Sequence, residues 1–142
     1  MKELIKSKKR VKLFGEVFTP ISLVNDMLDK LPKEVWEENK TFLEPAVGTG
    51  NFVVPLLERK LASGHDPLIA LSTIFAVDIM PDNISECKKR LLATVWNLLD
   101  DRGRVEAVKI IKKNIRVGDT LKQSLDEIFE FNNEEKNKDE ET

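Results

Sequence analysis

A strand that runs into a Gly-x-Gly turn and then a helix leaves few architectures open, and residues 42–52 read in that order: Phe42-Leu43-Glu44-Pro45-Ala46-Val47-Gly48-Thr49-Gly50-Asn51-Phe52. Phe42 and Leu43 supply a short apolar strand, Glu44 ends it, and a helix is expected over residues 51–63. In an open α/β sheet, ligands sit beyond the carboxyl ends of the strands, where a Gly-rich turn admits them to the backbone and helix N–H groups point outward. The same glycines also suit an ordinary β–α turn in which they only supply positive φ.

A pyrophosphate cradle would need Gly-x-Gly-x-x-Gly, but the third position here is Val53. Glu44 at the strand end would repel a phosphate and would suit a ligand with an ammonium group. S-adenosylmethionine carries one. Upstream, Ile21, Val24, Met27, Leu28 and Leu31 repeat with helical spacing after Thr19-Pro20. That pattern predicts a helix with Thr19 as N-cap and Pro20 at its first position, closed by Pro32. Residues 32–40 read as a loop with a short helical turn. Gly64 is a fitting stop for the 51–63 helix, and residues 67–72 fit a short helix after the turn at His65-Asp66. The only histidine of the chain, His65, has no nucleophile beside it and is expected to face solvent.

Ile74-Phe75-Ala76-Val77 is a continuous apolar run of the kind a central parallel strand shows, and it ends in Asp78. An acid there can accept hydrogen bonds from ribose hydroxyls, or cap the next helix. Pro81 opens that helix, with Ile84, Cys87, Leu91, Leu92, Val95, Trp96 and Leu99 as its stripe and Asp100–Gly103 as its end. Cys87 and Trp96 are therefore expected in the core. A further helix is expected over 104–113, then a third strand at Asn114–Val117 leading into Gly118-Asp119-Thr120-Leu121. An Asp at this strand end can accept a hydrogen bond from an exocyclic amine, and the backbone N–H that follows can donate to a ring nitrogen. Leu125, Ile128, Phe129 and Phe131 make a last apolar segment, helix or strand.

Length limits the chain to one domain with a core of useful size, since it has 142 residues. No apolar run approaches the ~20 residues of a membrane span, and no secretory signal precedes the charged start, so a cytoplasmic protein is expected. With one cysteine and one histidine, neither a disulfide framework nor a metal site is expected. The net charge is −2, unevenly placed: residues 1–12 hold six Lys or Arg against Glu3, and residues 126–142 hold eight acids against two lysines. This divides the chain into a basic arm at 1–13, a folded domain at 14–131 and an acidic, disordered tail at 132–142. The arm is expected to be solvated and mobile, with phosphates as an alternative partner.

Four blocks in order, Gly15-Glu16-Val17-Phe18-Thr19-Pro20, Leu43–Phe52, Val77-Asp78-Ile79-Met80-Pro81 and Gly118-Asp119-Thr120-Leu121, resemble the N6-adenine DNA methyltransferases related to type I and type IIG restriction-modification systems. The resemblance covers most of residues 14–121. It implies an α/β, Rossmann-like S-adenosylmethionine-dependent methyltransferase fold with a truncated parallel sheet and flanking helices. It further implies that Thr19 and its surroundings hold the methionine carboxylate, Asp78 the ribose, Ile79 one face of the adenine, and Asp119 and Thr120 the adenine edge. With Glu44 and the turn residues Ala46, Gly48 and Gly50, these form the candidate cofactor-binding set for S-adenosylmethionine. DNA is the partner class implied.

The family's catalytic Asp/Asn-Pro-Pro-Tyr/Phe, whose polar side chain and proline carbonyl hold the target amine while the ring stacks the flipped base, has no match in 122–142. Phe131-Asn132-Asn133 has suitable atoms without the paired prolines. The expectation is a cofactor-binding domain that does not methylate DNA alone. A homo-oligomer or a partner polypeptide would then cover the open sheet edge. Two alternatives are a non-enzymatic module that docks on DNA or a protein assembly, and an enzyme acting on S-adenosylmethionine itself.

Overall fold

In the computed structural model, which describes residues 4–14 and 16–131, three parallel strands carry the fold. The order along the chain is α1 (Lys8–Phe14), α2 (Ile21–Asp29), a 3₁₀ turn (Lys33–Trp36), β1 (Phe42–Glu44), α3 (Val53–Ala62), α4 (Pro67–Ser72), β2 (Ile74–Asp78), α5 (Pro81–Trp96), α6 (Asp101–Asn114), β3 (Ile115–Val117) and α7 (Leu125–Phe129). The sheet order is β1-β2-β3, with Phe42 opposite Ile74 and Ala76 opposite Ile115. The α/β class and the small parallel sheet with flanking helices thus follow the sequence expectation.

Strand neighbours that advance in one direction through right-handed crossovers place their connecting helices on one face. The burial agrees. Ile74, Ala76 and Ile115 lie in one core with Leu56 and Leu57 of α3, Leu71 of α4, Leu91 and Val95 of α5, and Ala107 and Ile111 of α6. Val24 and Leu28 of α2 close its margin. The opposite face holds Val77, Ile128 and Phe129 with Phe75 beside them, under α7.

Local chemistry sets the helix ends. Asp66 accepts from the Leu68 and Ile69 N–H groups at α4, and Asp100 from the Gly103 N–H at α6. Ser124 and Glu127 form a reciprocal capping box on α7. α3 closes with the Gly64 N–H on Leu61 O and the His65 N–H on Lys60 O, the paired bonds of a Schellman ending.

Several expectations are corrected. β1, which a doubly wound sheet would place in its middle, is an edge strand, because β2 alone pairs with it among the described residues. α2 starts at Ile21 with Pro20 as an uncapped N-cap and ends at Asp29, so the Thr19 hydroxyl does not cap it. α3 starts at Val53, two residues late, because the glycine turn extends through Phe52. Gly103 does not stop a helix; it lies in the first turn of α6, buried, where an added Cβ would meet Asp100 Oδ1 at 3.1 Å. Trp96 is 42% exposed, with the Arg104 guanidinium 4.3 Å over its ring, and is not core. His65 is half-buried, with Nδ1 shielded from solvent. The basic arm, over its described part, folds into α1, and two of its cations, Lys6 and Arg10, pair with Asp82 and with Glu16 and Asp82. Gly15 of the first motif block and the acidic tail at 132–142 lie outside the described residues. No helix among the described residues is long and apolar enough to cross a membrane.

Candidate functional site at the carboxyl ends of the strands

The carboxyl ends of β1 and β2 are tied together by backbone and carboxylate. Val47 N–H donates to Val77 O at 2.8 Å and Gly48 N–H to Asp78 Oδ2 at 2.9 Å. β3 joins through Gly118 N–H to Asp78 O at 3.0 Å, and the Thr120 hydroxyl reaches back to Pro45 O at 3.3 Å. Thr19 is drawn in from the other side, its carbonyl accepting from Asn51 Nδ2 at 3.2 Å. All nine candidate residues, Thr19, Glu44, Ala46, Gly48, Gly50, Asp78, Ile79, Asp119 and Thr120, therefore belong to one rim.

The two glycines are required by their own neighbours. Gly48 has φ +56° and Gly50 φ +102°, a region that favours glycine. A Cβ on Gly48 would meet the Phe18 ring at 2.9 Å, and one on Gly50 the Cys87 Sγ at 3.2 Å. Both residues are buried. The backbone approach that the glycines permit is thus taken up by Phe18 and Cys87. Burial pushes the Cys87 thiol up to about 12, which keeps it protonated and unreactive at neutral pH.

Asp78 is 9% exposed, and both its oxygens accept bonds from the chain. Besides Gly48, Oδ1 takes the Met80 N–H at 2.9 Å and Asn83 Nδ2 at 3.2 Å, so it braces the start of α5 as well as the turn. A carboxylate offers about four lone-pair sites, so three internal bonds leave one. Asn83 also donates to Glu16 Oε2 at 2.6 Å, and Arg10 bridges Glu16 and Asp82. Those partners, with Lys6 beside Asp82, hold the Asp82 carboxyl well below the usual range. Arg90 completes the frame, donating to Thr49 O and Asn51 Oδ1, each at 2.9 Å. Sequence reasoning missed Glu16, Phe18, Asn83 and Arg90. Only Asn83 left a signal: it occupies a stripe position, four residues before Cys87, that an apolar residue would ordinarily take.

Glu44 differs from Asp78. Strand alternation and the pairing of Glu44 with Ala76 put both carboxylates on the same face. Glu44 accepts from its own loop, through Ala46 N–H at 3.1 Å, and no cation pairs with it among the described residues. Burial first, and then the neighbouring Asp78 charge, raise its carboxyl above the ordinary glutamate range, against the Ala46 hydrogen bond. Asp119 closes the rim with Oδ1 on Leu121 N–H at 3.0 Å, and Ile79 stands 42% exposed beside Asp78. The rim therefore presents three carboxylates at three adjacent strand ends, each bonded to amides and none to a cation among the described residues. Chemically it can receive a cation, and an exposed aliphatic surface lies next to it.

No cluster of three or more metal-ligating side chains occurs among the described residues. No protein-family model, curated protein or solved structure matches the chain.

Proposed function

We propose that this domain binds S-adenosylmethionine on the rim formed by β1, β2 and β3, as a relative of the cofactor-binding part of N6-adenine DNA methyltransferases. Glu44 carries the proposal: a half-buried carboxylate beside a second carboxylate, without a cation of its own among the described residues. Such a pair is stabilised by an incoming positive charge, and S-adenosylmethionine offers an ammonium and a sulfonium. In this reading Glu44 holds the ammonium and the remaining acceptor capacity of Asp78 meets the ribose. Ile79 packs on the adenine, whose edge meets Asp119 and Thr120. The 142 residues contain no Asp/Asn-Pro-Pro-aromatic sequence, so methyl transfer to an adenine would need groups beyond those in this sequence.

A second reading draws on Phe18 and Asp78. Phe18 covers Gly48, and Asp78 is already bonded to the Gly48, Met80 and Asn83 nitrogens, as a purely structural framework would require. In that case the fold serves as a docking module for DNA or a protein assembly.

Calorimetric titration of the full chain with S-adenosylmethionine separates the two, with Glu44→Gln as the informative variant because it preserves the shape of the side chain. Saturable binding weakened at least tenfold by Glu44→Gln supports the cofactor reading. A folded protein that takes up no S-adenosylmethionine would leave the docking reading in its place.

A further inference from the structure

We propose that a cationic groove between α5, α6 and the free edge of β3 binds the phosphate backbone of a nucleic acid through Lys88, Lys109, Lys112 and Arg116. The groove has a volume of about 390 Å³ and is lined by those four residues and Lys113 over a floor of Ile115 and Val117, with no acid in its lining among the described residues. The chain as a whole carries a net charge of −2, so this concentration of positive charge is local.

The arm that sequence reasoning nominated for phosphates is a poorer candidate. Lys6 lies 2.7 Å from Asp82 and Arg10 2.7 Å from Glu16, so both cations already have partners within the fold. In the groove, among the described residues, Lys109 has only a loose, exposed contact with Glu106 at 3.4 Å, and Arg116 Nε donates to the Lys113 carbonyl with no acid paired to its charge.

Two structural reasons for these lysines deserve weighing. Lys112 and Lys113 complement the carboxyl end of α6, and lysines beside a free strand edge deter strand pairing. Neither accounts for Lys88, which reaches the same groove from a different helix. Burial lowers its ammonium affinity for the proton, and Arg116 and Lys112 lower it further. Cations from three elements converging against their mutual repulsion form an arrangement that a polyanion stabilises.

The shape selects among polyanions. Lys109 and Lys112 lie three residues apart on α6, about 4.5 Å along its axis at ~1.5 Å per residue, and Arg116 extends the row from β3. At about 3.4 Å per nucleotide along one strand, the two helix positions are spaced roughly as adjacent phosphates are. The lining offers no aromatic ring for a base, so the contact reads the backbone and not the sequence. This proposal does not depend on cofactor binding at the rim.

Fluorescence anisotropy of a short labelled DNA duplex, titrated with the full chain at rising salt, tests it. With four cations engaged, log affinity against log salt should fall with a slope of about −3 to −4. Lys88→Gln/Lys112→Gln should lower affinity about tenfold or more at low salt and flatten the slope by about two. Lys109→Gln, an exposed change with little bearing on folding, should flatten it by about one, while Lys33→Gln on the 3₁₀ turn leaves it unchanged. Absence of duplex binding at low salt overturns the proposal, as does binding that the groove variants leave intact. Displacement of the duplex by tripolyphosphate at equal charge concentration overturns it in favour of a small-anion site.

Discussion

The two faces of the sheet are built to different standards. One face is sealed by four crossover helices, and Ile74, Ala76, Leu56, Leu57, Leu91 and Val95 are each at most 1% exposed. The other has, among the described residues, a single short helix over it. There Phe75, Phe129 and Phe131 pack against one another, with ring centroids 5.3–5.9 Å apart, and border an apolar groove of about 250 Å³ that runs along Thr41, Phe42 and Leu43 of the β1 edge. Leu43 is 45% exposed and Phe131 38%. Parallel sheets are ordinarily covered on both faces, so the second face is the one where an added strand or helix would bury the most new apolar surface. The Gly48–Gly50 turn lies where β1 and α3 meet, anchored in the thick core through Cys87.

That division predicts unequal costs. Leu91→Ala in the thick core should destabilise by about 2–5 kcal/mol, measured by urea unfolding, because the helices around it cannot collapse into the cavity. Phe129→Ala removes a larger side chain, yet it should cost less, about 1–3 kcal/mol, since the neighbouring rings stand at an open groove and can relax. Equal costs would erase the contrast between the faces. Gly50→Ala comes next, at about 1–3 kcal/mol, from a backbone at φ +102° and a Cβ 3.2 Å from Cys87 Sγ. Combining it with Cys87→Ala should recover part of that loss, the part owed to contact and not to φ.

The thick face was legible in the sequence and the thin one was not. Continuous apolar strand 74–77, the stripes of α3 and α5, and the proline and glycine punctuation at Pro81 and Gly64 each report local periodicity that the fold preserves. Edge position is not local. Phe42-Leu43 reads as buried strand in either place, and only the pairing partners decide. Trp96 failed for a related reason: it keeps the helical spacing of the stripe, but α5 ends there and the ring turns out to stack with Arg104. At the rim, the carboxylates at 44, 78 and 119 were legible because each follows an apolar strand. The bonds Asp78 takes from Gly48 and Asn83 were not, since those partners lie in other elements.

Glu44 gives a pH test of the thick side's rim. Its carboxyl is raised in the folded state by burial and by Asp78, so its contribution is fully present below the ordinary glutamate range and is lost as pH rises through the folded value. Stability of the wild type should therefore fall over that acidic window relative to Glu44→Gln, which has no proton to lose. Urea unfolding of the two proteins across pH 4 to 7, about the range where glutamates titrate, measures the difference. S-adenosylmethionine should reverse the sign. If it binds the ionised pair, its affinity rises as pH climbs through the same window, and Glu44→Gln abolishes the rise.

The smallest expected change in stability is the most telling for the thin face. The Phe42 amide bonds to Thr73 O, on the β2 side, so alternation turns the Leu43 N–H and C=O toward the free edge, with its side chain beside the groove. Leu43→Lys places a charge where an exposed side chain stood, and monomer stability should move by no more than about 0.5 kcal/mol. Association should respond far more. A strand added along β1, from a second copy or another polypeptide, would bring its own apolar side chains against Leu43 and Phe75 and would have to desolvate the new ammonium. Molar mass by light scattering over a range of concentrations reads the homotypic case: a concentration-dependent oligomer in the wild type that Leu43→Lys reduces to monomer identifies the β1 edge as its interface. An oligomer that survives the substitution uses another surface, and the open edge then protects itself through its three-residue length alone.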